Sequence, residues 1–276
     1  MPLHLQSITN INIREILGSI MEEFKKSEYS CLRRYGKYML SAKDVFDLKT
    51  RNKIGEYVYT LEVEDDGLVV LDLDFALCSK ETTKLLFEEK LSGSSEANEY
   101  YNVIGDDAHF QIETVNRYLI EDEDLEAKEY EVSLSAFPFK FKLFDSIDEV
   151  NEIFGLGKEI EIPELGKQKI GMAEDFMTRS DMFKQDPDSE EYFSVVIGKV
   201  ADFNFVELSI DGNVAKCAIV EVVTRIGKLT TIVGEECFDL SNLKKDKVVY
   251  MFADIKADFK VNELKTEINC IKSTDG

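Results

Sequence analysis

The sequence predicts an α+β protein: an N-terminal amphipathic helix, an acidic mixed α/β-meander domain and a C-terminal small, antiparallel, β-barrel-like domain. Three observations carry that expectation. Apolar residues recur first at helical and then at strand spacing. The last third of the chain is a series of β-branched and aromatic runs separated by Gly and Asp turns. The acidic charge is concentrated in the middle: residues 1–60 hold 10 Lys/Arg against 7 Asp/Glu, residues 61–192 hold 12 against 35, and residues 193–276 hold 11 against 13. The expected units are a helical segment 1–54, an acidic domain 55–188 and a β-rich domain 189–276, divided at Asp186-Pro187-Asp188-Ser189.

Each element has its own signal. Ile13, Ile16, Leu17, Ile20, Met21 and Phe24 recur at three- and four-residue steps behind Thr9 or Asn10 as a cap, which predicts a helix over 11–27. Lys25, Lys26, Arg33, Arg34 and Lys37 follow, interleaved with Tyr29, Tyr35 and Tyr38. That mixture suits phosphate binding and base stacking, and equally a solvated helix face or one docked on the acidic middle. Glu56–Val63 and Leu68–Leu77 predict two strands joined by the Asp66-Gly67 hairpin signal. Helices are expected over Lys80–Leu91, started by Ser79 and stopped by Ser92-Gly93, and over Asp107–Ile120.

Tyr130–Ser135 and Phe137–Phe144 predict strands, with Pro138 placing the second near an edge or a strand start. Asp145 or Ser146 should cap a short helix that stops at Gly155. Five strands complete the chain, Tyr192–Val200, Phe203–Ile210, Val214–Thr224, Leu229–Val233 and Val248–Ile255, with a short helix at Ser241–Asp246. That order resembles the OB fold, which is the architecture the resemblance implies for 189–276.

With 44% hydrophobic residues, 18 Phe and 11 Tyr in 276 positions, the chain is too apolar to remain unfolded. No stretch reaches the 18 or more apolar residues of a membrane helix, and Met1–Asn10 lacks a secretory pattern. The expectation is a cytoplasmic protein with no membrane partner. Five irregularly spaced cysteines predict reduced thiols rather than disulfides or a metal site.

Motifs for chemistry are few. Val69-Val70-Leu71-Asp72-Leu73-Asp74 resembles the start of the nucleophile motif of haloacid-dehalogenase phosphotransferases. The resemblance implies magnesium held by both carboxylates, with one of them attacking phosphorus. Here Phe75 and Ala76 replace the small polar continuation, and the run follows a hairpin. Alternating acids on an exposed strand face explain the pair more simply. His4 and His109 are the two histidines, so any histidine-assisted nucleophile must run through His109, which reads as a surface or packing residue. Gly155-Leu156-Gly157-Lys158 follows a helix instead of starting one, so it reads as a helix stop and not a phosphate loop.

Function is read from charge. The run Glu121, Asp122, Glu123, Asp124 and Glu126, continued by Glu129 and Glu131, must face water or a cationic partner. It lacks the glycine and alternating ligands of a calcium loop. The expected role is a non-catalytic binding protein, inhibitor- or antitoxin-like, whose acidic surface at these seven residues engages a basic protein and repels nucleic acid. No cofactor is expected. The competing readings are a magnesium-dependent phosphatase-like enzyme through Asp72 and Asp74, and a structural component of a phage or mobile-element assembly.

Overall fold

The computed structural model describes residues 8, 32–35, 38–64, 67–79, 81–91, 99–106, 108–115, 125–162, 166–169, 178–179, 194–210 and 213–259. Strands β1 (Leu32–Tyr35), β2 (Tyr38–Phe46), β3 (Lys53–Glu64) and β4 (Gly67–Leu77) form an antiparallel sheet in that order. Strands β9 (Glu159–Ile162) and β10 (Gly166–Lys169) form a separate hairpin, and α1 (Ile147–Phe154) is the one helix among the described residues. The remaining strands are β5 (Thr83–Lys90), β6 (Glu99–Gly105), β7 (Ala108–Thr114), β8 (Lys128–Phe144), β11 (Thr178–Arg179), β12 (Ser194–Ile210), β13 (Asn213–Thr224), β14 (Gly227–Gly234) and β15 (Val248–Phe259). They make one nine-stranded mixed sheet in the order β11-β12-β13-β14-β8-β15-β7-β6-β5.

Two additional pairings, β12 with β15 and β8 with β5, close this sheet on itself twice. The first ring is β12-β13-β14-β8-β15 and the second is β8-β15-β7-β6-β5. Both use the long antiparallel pair of β8 and β15, which runs from Val248↔Phe144 to Phe259↔Val132. Along β8, Thr83–Phe87 of β5 pair with residues 128–132, and Thr230 and Thr231 of β14 pair in parallel with Ser135 and Ala136. Along β15, Val248–Ala253 take β12, and Lys256 and Ala257 take β7 in parallel. The rings therefore occupy successive stretches of one strand pair. A single apolar cluster runs through both, from Leu85, Phe87 and Phe110 to Val222, Val249 and Met251.

β12 must leave β15 and continue beside β13, and two local features let it turn. Ala201 is an extra residue between the Val200 and Asp202 pairings, a bulge that increases bend and twist. At Gly198 a Cβ would fall 2.5 Å from the Val223 carbonyl oxygen and 2.6 Å from Val222 Cγ1, so only glycine fits. The four-stranded sheet is tied to the same strand beyond its turn, and to β8. Leu48 N–H donates to the Glu207 carbonyl, Glu207 N–H donates to the Asp47 carboxylate, and the Phe75 ring meets Phe137 edge to face at 6.1 Å.

This architecture corrects the α+β expectation: the described residues are mostly strand, with one short helix. Lys80–Leu91 is not a helix. Residues 83–90 are β5, with Leu85 and Phe87 buried and Lys84 and Glu88 exposed, a period of two that competes with the helical reading of the same short run. Asp107–Ile120 is corrected likewise, since 108–114 is β7 with Phe110 and Ile112 inward and His109 outward. The segment 1–54 contains β1, β2 and the start of β3, whereas the helix expected over 11–27 lies outside the described residues.

The C-terminal strands do not close a small antiparallel barrel of their own, because their ring takes β8 from the acidic segment and pairs it in parallel with β14. Backbone pairing thus crosses the division expected at 188. Tyr130–Ser135 and Phe137–Phe144 are one strand. Pro138 lies inside it, beside Phe139, the extra residue of a bulge where a missing N–H is tolerated. Ser241–Asp246 is two turns and not a helix. The helix after Asp145 forms as expected: Ser146 Oγ accepts from Glu149 N–H, and Gly155, at φ 66°, donates back to the Asn151 and Glu152 carbonyls.

Candidate functional site

The acidic stretch enters β8 through a tight corner. Leu125 is fully buried, Ala127 adopts a left-handed φ of 57°, and its N–H donates to the Phe87 carbonyl at 2.7 Å. That anchor fixes the start of β8. Pairing with β5 sets Glu129 opposite Leu86 and Glu131 opposite Lys84, and strand alternation sends Val132 inward while Glu129 and Glu131 stay exposed. Glu126 is also exposed, and its Oε1 accepts from Lys90 N–H at 2.9 Å. The Thr82 hydroxyl donates to Glu131.

Three of the seven predicted partner-binding residues, Glu126, Glu129 and Glu131, therefore share one corner of the second ring. Glu121, Asp122, Glu123 and Asp124 lie outside the described residues. Glu88 and Glu89 are exposed on the neighbouring β5, with Glu88 Oε2 3.1 Å from His109 Nδ1. His109 is thus a surface residue, with no serine or cysteine beside it in a described contact. In the described residues 81–91, 99–106, 108–115 and 125–132 there are 9 Asp/Glu and 3 Lys.

A second polar group is buried where the rings meet. Asp254, Lys256 and Asp258 alternate along the outer face of β15, opposite Phe137, Ser135 and Ser133 of β8. Lys256 is 2% exposed and Glu113, its parallel partner on β7, is 3% exposed. The Lys256 ammonium lies 2.8 Å from the Glu113 carboxylate and 3.9 Å from that of Asp254. Nearby Ser194, at the start of β12, accepts from Gln111 N–H at 3.3 Å and donates to its carbonyl at 3.2 Å, joining β12 to β7. On the other side Thr83 donates to the Ile226 carbonyl at 2.9 Å and Lys228 pairs with Glu81, joining β5 to β14. The buried Lys256–Glu113 ion pair joins β15 to β7 at the seam where the two rings meet. Sequence reading missed it. The visible signal was Asp254-Ile255-Lys256-Ala257-Asp258, a polar and apolar alternation continuing past the predicted strand end at 255.

The remaining candidates fall into place without chemistry. Asp72 and Asp74 stand opposite Thr60 and Val58 in the middle of antiparallel β4, and the strand continues through buried Phe75, Ala76 and Leu77. The motif they resemble needs its carboxylates at the end of a strand in a parallel sheet. Gly155 is the stop of α1 rather than a phosphate cradle. Cys78, Cys217 and Cys237 are thiols, and burial pushes Cys217 up to about 12 and Cys237 up to about 11, which keeps both unreactive. Among the described residues no three His, Cys, Asp or Glu side chains group as a metal site, and no helix is long and apolar enough to cross a membrane.

Asp47 is a structural carboxylate. It accepts from Glu207 N–H at 2.9 Å and from the N–H and hydroxyl of Thr50, and these bonds lower it to about 2. Comparison with protein-family models, with curated proteins and with solved structures finds no match.

Proposed function

We propose that this chain is a non-catalytic cytoplasmic binding protein whose acidic corner, at the start of β8 and the adjoining outer face of β5, engages a basic protein. The observation that supports this reading is the grouping of exposed Glu129 and Glu131 on β8, Glu126 just before it and bonded to Lys90 N–H, and Glu88 and Glu89 at the end of β5. Strand pairing holds such carboxylates in a fixed array, so a cationic partner meets a preformed field and loses little side-chain freedom in docking. Glu121, Asp122, Glu123 and Asp124 add their charge from the adjoining sequence. An inhibitor or antitoxin that occupies the nucleic-acid site of another protein would use this chemistry.

The test is affinity capture from the native cell at low and high salt, followed by association kinetics of the identified basic partner. Replacing Glu126, Glu129 and Glu131 together by Gln should slow association and flatten its salt dependence, because exposed charges steer encounters over about 8 Å at physiological ionic strength. An unchanged rate and salt slope would reduce the acidic corner to a solubility device.

A further inference from the structure

The outer face of the first ring differs from the rest of the molecule. On β8, β15 and β12, the stretches 133–144, 248–253 and 194–201 contain Lys140, Lys142 and Lys199 and no acid, in a chain with 55 Asp/Glu. All three lysines are exposed, and none has an ion-pair partner among the described residues. A row of rings crosses the same face, where α1 packs on the strands over a cluster of Phe144, Val150, Val195, Ile197, Val248 and buried Phe252, with Tyr250 and Phe139 half-buried at its margin. Phe154, at the end of α1, stacks on Tyr250 at 4.5 Å, Tyr250 meets Phe252 at 5.8 Å, and Phe252 meets Phe139 at 5.7 Å. Lys140 Nζ lies 5.3 Å from the Phe252 centroid, and Lys142 stands directly opposite Tyr250 in the strand register. Phe154 remains 38% exposed and its neighbour Ile153 58% exposed, so the stack ends in an uncovered ring.

We propose that this face is a stacking site for a short stretch of single-stranded nucleic acid, with the exposed Phe154 ring, backed by Tyr250, as the platform and Lys140 and Lys142 as phosphate contacts. An exposed aromatic ring bordered by cations that make no ion pair among the described residues is the combination that binds bases without sequence preference. Asp148, Glu149 and Glu152 on α1 carry negative charge along the helix side, which directs the phosphates toward β8. The net charge of −22 keeps the footprint short and the affinity low. This departs from the expectation that nucleic acid is repelled. That expectation summed charge along segments, whereas β8 and β15 come from different segments and bring their acid-free stretches together, with the acids of α1 at the border. The proposal is independent of the basic-partner reading and uses a different surface.

The experiment is fluorescence anisotropy of the full chain at low salt, with a labelled ten-residue oligothymidylate and an abasic oligonucleotide of equal length. The thymidylate should bind about tenfold or more tighter than the abasic strand, since stacking contributes about 1–3 kcal/mol per base. Phe154→Ala should erase that difference, with an unchanged circular dichroism spectrum. Lys140→Gln with Lys142→Gln should weaken both ligands and lower the salt slope by about 1.4. Absence of thymidylate binding, equal binding of the two strands by wild type, or full retention of the difference in Phe154→Ala would overturn the proposal. If a variant fails to fold, the wild-type comparison of the two strands decides alone. The Glu126, Glu129 and Glu131 to Gln variant should bind the thymidylate at least as tightly as wild type, which separates this site from the acidic corner.

Discussion

The two rings close on the same strand pair and share a continuous apolar cluster, but one is acidic and the other nearly balanced in charge. The described residues of the second ring, 81–91, 99–106, 108–115, 125–132 and 254–259, hold 11 Asp/Glu and 4 Lys, while 133–144, 194–210 and 213–253 hold 7 Asp/Glu and 9 Lys/Arg. Inward positions are apolar in both, so the difference lies entirely on outward positions and costs the core nothing. A strand's two faces are independent in this way because side chains alternate. One scaffold therefore carries an acidic corner at one end and an aromatic, lysine-bearing face at the other.

Cutting the seam should break both rings at once. Lys256→Met leaves Glu113 and Asp254 buried without their ammonium, and removing one partner of a buried pair costs about 3–5 kcal/mol. Urea unfolding should show that loss as a single transition. A loss below about 1 kcal/mol for Lys256→Met alone would mean the seam is wet.

Detaching the four-stranded sheet should have a smaller effect and a pH signature. Asp47→Asn weakens the bonds to Thr50 and Glu207, a change of about 2 kcal/mol for hydrogen bonds to a charged group. Because the folded carboxyl is lowered to about 2, its stabilisation is fully present above about pH 4 and is lost as pH falls through 2. Wild type and variant should converge in stability near pH 2 and separate above pH 4. Parallel curves through that window would contradict the assignment.

Gly198→Ala should act on the first ring alone. Its Cβ would meet the Val223 carbonyl, and forced displacement of packed backbone costs about 1–3 kcal/mol. Hydrogen exchange should quicken in β12 and β13 and stay unchanged in β6 and β7. At the low end, replacing Glu126, Glu129 and Glu131 by Gln should move the melting free energy by no more than about 0.5 kcal/mol. A larger loss would show that these acids hold the corner together.

Local signals were legible where turn chemistry or capping decides the outcome. Ser146 and Gly155 bound α1 as their residue types require, and Gly67 starts β4 after a two-residue connection. What failed was period over short runs: Leu85, Leu86 and Phe87 satisfy both helix and strand templates, and pairing with β8 settles them as strand. Non-local order was beyond reach, because nothing around Ser135 and Ala136 announces a parallel partner nearly a hundred residues later. The acidic corner was visible as composition. The seam showed only as the alternation Asp254 to Asp258, and its partner Glu113, like the aromatic face, comes from strands distant in sequence.

The shared strand pair is tested most directly by a fragment experiment. Residues 190–276 expressed alone lack β8, so β14 and β15 lose the strand that lies between them. The fragment should show no cooperative melt and little near-ultraviolet circular dichroism, and co-expression with residues 55–189 should restore both. A cooperative melt of 190–276 alone, unchanged by adding the first part, would contradict the two-ring account and make the C-terminal strands a self-sufficient unit.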